Sequence, residues 1–182
     1  MPLHGALGAR AVRRDRRRTE DGAVAVEFAI ILPILAMLLM GIVTGGVSYA
    51  HSVGLANAVR EGARFGATAD ATQSTWLADT QTRVRQTQFD DKSAAADSST
   101  SVCVQLIRTG NVVVKGDCSI GGNGGPNITM PALDQAPKMP TLTTGCAIRV
   151  YAVRGYTVNF VLGSKTGTLK SGAVARYEQA TC

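Results

Sequence analysis

Residues 28 to 47 hold no charged side chain, in a chain of 182 residues that carries 19 Lys and Arg and 13 Asp and Glu elsewhere. Twenty helical residues at 1.5 Å each reach about 30 Å, the hydrocarbon thickness of a bilayer. Directly before this run, Arg10, Arg13, Arg14, Arg16, Arg17 and Arg18 outweigh Asp15, Glu20 and Asp21. The positive-inside rule therefore puts the N-terminal tail in the cytoplasm and everything after residue 50 outside. A nucleic-acid arm would show aromatic or glycine interleaving, and this tail has none, so no nucleic-acid partner is expected. Ser48-Tyr49-Ala50 resembles a small-x-small cleavage site. A cleaved secretory signal nevertheless fits poorly, because the apolar core exceeds the usual ~7–15 residues and carries Glu27 and Pro33.

The helical signal begins at Ala23 and continues beyond the apolar run. Leu55, Ala56, Val59, Ala63 and Phe65 recur at helical spacing with Asn57, Arg60, Glu61 and Arg64 between them. Glu61 and Arg64 stand three residues apart, close enough to pair, and a break is expected near Gly66. Gly41 and Gly45 make a small-xxx-small pair that lets a second helix approach, or they reflect a glycine-rich chain. Pro33 leaves one carbonyl without its helical partner and can kink the span. Three parts follow: a basic leader at 1–22 with no periodicity and no need of a fold, a transmembrane and extended helix at 23–66, and an extracytoplasmic head at 67–182.

Within the head, residues 74–89 read as a short amphipathic helix capped by Ser74 or Thr75, with Trp76, Leu77, Val84 and Phe89 on its apolar side. The polar stretch 90–101 reads as a linker. Thereafter the period changes to two. Val102, Val104 and Leu106 alternate with polar residues, Thr109-Gly110-Asn111 supplies a turn, and Val112–Val114 returns as a hairpin. Residues 117–140, rich in Gly and Pro, read as a long loop. Residues 146–162 are the best strand region, 164–170 a turn, and 172–180 a last strand. The fold class is α+β: a long N-terminal transmembrane helix continuing into a small extracytoplasmic domain with a short helix and an antiparallel sheet. The sheet has the upper helix to cover one face.

Cys103, Cys118, Cys146 and Cys182 all follow the span, which places them in an oxidising compartment. Four cysteines allow three connectivities. Pairing Cys103 with Cys118 and Cys146 with Cys182 is preferred, because each pair flanks a proposed strand pair. Zinc is disfavoured: no C-x-x-C occurs, and His4 and His51 lie far away. No catalytic residues, metal ligands or cofactor emerge. The head has no histidine after His51, its acids are scattered, no G-x-S-x-G occurs, and GGNGGP lacks the lysine of a phosphate loop.

Glu27 remains to be explained. A carboxylate at the border of a span can simply reach toward headgroups. Its context is specific, however: Gly22, four small or aliphatic residues, then Glu27 and Phe28, with the Arg-rich tail behind. This resembles the prepilin cleavage motif. The stretch from Thr19 to Gly46, continued by Ala56 to Gly66, resembles the TadE-like family of tight-adherence (Flp) pilus systems. That likeness rests on Gly22, Ala25 to Phe28, Pro33, and Ala58 to Arg64, and more loosely on the closing GAVARYEQ.

The resemblance implies a minor pilin or pseudopilin with a pilin-like head. A prepilin peptidase would cut after Gly22 and leave Ala23 as the new N-terminus. Glu27 would then neutralise the amine of a neighbouring subunit, or of its own chain one turn away. Expected partners are the inner membrane, that peptidase and other pilin subunits. The alternatives are an unprocessed signal-anchored extracytoplasmic binding or adhesive module, and an anchored hydrolase.

Overall fold

Alanine, leucine and arginine, all good helix formers, recur through the first third of the chain. In the computed structural model they form one helix, α1 (Gly8–Thr68), with Pro33 inside it. The structure describes residues 8–87, 99–122, 125–160, 163–179 and 182, with side chains from residue 22 onward except 158–160. The chain divides into two compact units, Met1–Gly45 and Gly46–Cys182, and the boundary falls within α1.

Five further elements follow: α2 (Trp76–Thr87), β1 (Thr100–Arg108), β2 (Val112–Ser119), β3 (Cys146–Phe160) and β4 (Gly163–Arg176). The strands make one antiparallel sheet in the order β2-β1-β3-β4. Period-two alternation gives the sheet two different faces. Val102, Val104 and Leu106 of β1 and Ile148, Val150 and Ala152 of β3 pack on one face with Leu55, Ala58, Val59, Ala63 and Ala67 of α1. Trp76 and Val84 of α2 complete this core. Each large aliphatic side chain buried here contributes roughly 1.5–3 kcal/mol.

The opposite face is covered by loop rather than helix. Ile128 packs with Cys103 and Val153, while Met139 packs with Ile107 and Ala147. Arg149 sits on this face with no exposed surface. Its Nε donates to the carbonyl of Pro137 at 2.7 Å, Nη1 to Pro131 at 2.8 Å, and Nη2 to Ala132 and Gln135 at 2.8 and 3.1 Å. One guanidinium thus holds a loop that has no regular structure of its own.

Disulfides join Cys103 to Cys118, which face each other across β1 and β2, and Cys146 to Cys182. At the edge, the carbonyls of Asp117 and Ser119 accept from Gln81 Nε2 and Arg85 Nη2 of α2.

Several local expectations are corrected. The leader, read as needing no fold, is helical from Gly8, while the break expected near Gly66 comes at Thr68, where α1 ends. Residues 164–170 are strand, not turn: β4 pairs with β3 without interruption from Phe160↔Gly163 to Ala147↔Arg176. Beyond Arg154 this ribbon has no β1 partner, so it lacks the covered face that would impose an alternating pattern. The last strand stops at Arg176, and β2 extends to Ser119, into the region read as loop. β1 starts at Thr100, inside the stretch read as linker. The rest of that linker reading, 90–98, and Phe89 of the short helix lie outside the described residues. So do residues 1–7, 123–124, 161–162 and 180–181.

Candidate functional site

The helical segment from Gly22 presents apolar side chains outward on every side. Phe28 is 68% exposed, Ile34 59% and Ile42 71%, with Leu35, Leu38 and Leu39 similarly bare. Its most apolar window has a mean hydropathy of 2.6, and none of that window is buried by protein. Among the described residues this is one helix long and apolar enough to cross a membrane, which supports a single-pass membrane location. Thr44, within the span, returns its hydroxyl to the carbonyl of Met40 at 2.7 Å, so its polar group needs no water.

Gly22, Ala23, Glu27 and Phe28 lie on successive turns of α1, and all four are exposed. Ala23 and Glu27 are one turn apart on one face. Pro33 lies within the same helix. Around Gly22, Gly41 and Gly45 there is open space: a Cβ built at any of them meets nothing within 4 Å. The four cysteines belong to the other unit, where all are disulfide-bonded.

In that second unit, the stretch Ala58 to Arg64 resolves into separate duties. Ala58, Val59 and Ala63 are buried in the core. Gly62 is bare because Val84 of α2 lies against it, and Gly66 because Ile148 and Thr80 do. Glu61 does not pair with Arg64 along the helix. It accepts from Arg83 Nη2 of α2 at 3.1 Å instead. This pair is half exposed, so it contributes at most a fraction of a kcal/mol. Arg60 and Arg64 are exposed.

The end of α1 is closed by residues that sequence reasoning did not assign. Glu178 N donates to the carbonyl of Ala67 at 3.0 Å, and Gln179 Nε2 to that of Thr68 at 2.8 Å. Two carbonyls orphaned by the helix terminus are thereby satisfied. The Tyr177 hydroxyl accepts from Ala71 N at 2.8 Å. Lys115 Nζ donates to the carbonyls of Ala71 and Gln73, each at 3.1 Å, and stands 6.0 Å from the centre of the Trp76 ring. Asp70 accepts from the backbone N–H and hydroxyl of Thr72, which, aided by Lys115, hold its carboxyl below the ordinary value. The available signal was the four-residue spacing of Ala58, Gly62 and Gly66 beside a lone tryptophan.

Among the described residues, no group of three or more His, Cys, Asp or Glu is placed to hold a metal. The bare apolar surface of the segment suits it to insertion and helix packing. A family model described as "TadE-like protein" matches residues 22–64, from the glycine of the motif to the last arginine of the Ala58–Arg64 stretch. No curated protein and no solved structure matched. Residues 22–64 are thus similar to the TadE-like model, and the match does not extend to the rest of the chain.

Proposed function

We propose that this chain is a minor pilin or pseudopilin that takes part in assembling a tight-adherence pilus, after a prepilin peptidase has cut behind Gly22. The observation that carries this reading is the TadE-like match beginning at Gly22 and running into a helix whose apolar side chains are bare on all sides. Such a surface is stable only in lipid or against other apolar helices. Removing the basic tail exposes an amine at Ala23, and Glu27 of a neighbouring subunit neutralises it. An isolated charge at membrane depth is costly, and a paired one is tolerated. The leader stays cytoplasmic and the head faces the extracytoplasmic side, where an oxidising compartment sustains its disulfides. The bare glycines Gly41 and Gly45, with Pro33, shape the helix for packing in the bundle. The role is structural, without catalysis or cofactor.

Mass spectrometry of the membrane-extracted protein tests this directly. The expected mature N-terminus is Ala23, lost in Gly22→Ala. An intact Arg-rich tail in the wild type would replace this reading with an unprocessed anchor bearing an adhesive head. Glu27→Gln is expected to insert normally but to co-purify with partner subunits several-fold less. Unchanged co-purification and piliation would remove the charge pairing.

A further inference from the structure

We propose that the outer face of the sheet carries a binding cleft for a single acidic sugar unit, a hexuronate. The cleft has a volume of about 260 Å³ and lies between the 126–129 segment and strands β3 and β4. That is below the roughly 300–1,000 Å³ of sites for drug-sized ligands, so it suits one small ring.

Strand register builds two of its walls. Val153 stands opposite Lys170, with Tyr151 and Thr168 two residues further along their own strands on the same face. Gly155 faces Thr168 in register, and the space beside it is open, so one end of the cleft stays unblocked. The third wall is the loop, through Asn127 and Ile128.

The lining is chemically mixed in a particular way. Ile128 and Val153 give an apolar floor, and Tyr151 an aromatic wall. Asn127, Thr168 and the Tyr151 phenol offer donors and acceptors for hydroxyls. Lys170 brings a positive charge, and among the described residues no carboxylate lines the cleft with it. Burial pushes the Tyr151 phenol up, so it stays a neutral O–H donor. A ring with an apolar face, several hydroxyls and one carboxylate matches each of these groups in turn. A neutral sugar leaves the ammonium unmet, and a simple carboxylate leaves the floor and hydroxyl partners unused.

The cleft is also held in shape before any ligand arrives. Fully buried Ser101 donates from Oγ to the carbonyl of Pro126 at 2.6 Å and accepts from Gly121 N at 3.0 Å. Ile128 and Val153 pack on Cys103, which the bond to Cys118 fixes across β1 and β2. A preformed site saves the ordering that binding would otherwise require.

The test titrates the full chain in detergent with sodium galacturonate, using galactose, sodium acetate and a short peptide with a free C-terminus as comparisons at matched ionic strength. Saturable galacturonate binding at roughly millimolar concentration is expected. Lys170→Gln should weaken it about tenfold, the scale of one charge-assisted hydrogen bond, while leaving galactose binding unchanged. Lys170→Arg should restore it, and Tyr151→Ala should weaken both sugars. Lys170 is exposed, so an unaltered melting temperature shows that Lys170→Gln is folded. Absent saturation, equal binding of acetate, tighter binding of the peptide, or indifference to Lys170→Gln each overturns the proposal. None of these outcomes bears on cleavage behind Gly22, and the cleft does not depend on that reading.

Discussion

The indole Nε1 of Trp76 donates to the carbonyl of Gly66 at 3.0 Å, and any side chain at Gly66 would run into Thr80 and Ile148. Together with Gly62 against Val84, this makes a smooth strip on α1 into which α2 settles. The usual benefit of replacing a helical glycine by alanine, up to about 1 kcal/mol, is therefore reversed at these positions. Gly62→Ala should destabilise the protein by about 1–3 kcal/mol through overpacking against Val84. Gly46→Ala, where the added carbon meets nothing, should be neutral or mildly stabilising. Thermal unfolding in detergent compares the two, and equal effects would refute the close approach.

Arg149 replaces secondary structure with four hydrogen bonds to the 131–137 loop. Its burial pulls the guanidinium below its ordinary range, and Asp134 partly opposes this. Arg149→Met keeps the stem but strands the loop carbonyls, a loss of about 2–4 kcal/mol. Arg149→Lys should rescue little, because a point ammonium cannot serve a fork of acceptors. Denaturant unfolding gives the loss, and limited proteolysis should show new cleavage within the loop.

The Cys103–Cys118 bond closes a span of 15 residues across two paired strands. Loop-closure entropy assigns it about 3 kcal/mol. The double variant Cys103→Ala/Cys118→Ala should lose that amount in denaturant unfolding. A reductant should weaken the wild type by more than the variant, which has only the Cys146–Cys182 bond left to lose. Peptide mapping without reduction should recover residues 103 and 118 in one linked fragment.

Asp70 supplies a pH dependence of definite sign. Its folded carboxyl is held below the ordinary 3.8 chiefly by the Thr72 backbone N–H, then by the Thr72 hydroxyl. Its contribution is complete above 3.8 and fades as pH falls through the lower folded value. The side chain is exposed, so the effect is small. Asp70→Asn should flatten the acid limb of stability measured by urea unfolding from neutral pH downward. An unchanged acid limb would show that the Thr72 contacts are not kept in solution.

Much of this architecture is legible in the chain, and the failures share a cause. The uncharged run at 28–47 announces a span because lipid demands it, and the alternation at 102–106 announces a strand because one face meets helices. Where such a demand is missing, pattern is silent. Residues 164–168 sit in a two-stranded ribbon beyond the end of β1, so Ser, Thr, Lys and Gly serve there and imitate a turn. Arg149 reads as a surface charge until the loop carbonyls around it are known. Glu61 reads as a partner of Arg64 until α2 brings Arg83 across from 22 residues away. The motif at Gly22 to Phe28 is plain because its residue types and spacing are local. The cleft beside Tyr151 is invisible, because strand register and a distant loop assemble it.

Glu178 and Gln179 complete the last turn of a helix that ended more than a hundred residues earlier, at Thr68. Synthesis delivers that helix more than a hundred residues ahead of the residues that close it. Until β3 and β4 have formed, the carbonyls of Ala67 and Thr68 lack these two partners, so the closing contact carries the loop-entropy cost of a long sequence separation. A chain halted before residue 177 would carry a finished anchor and an unlatched domain, and quality-control proteases would meet it in that state.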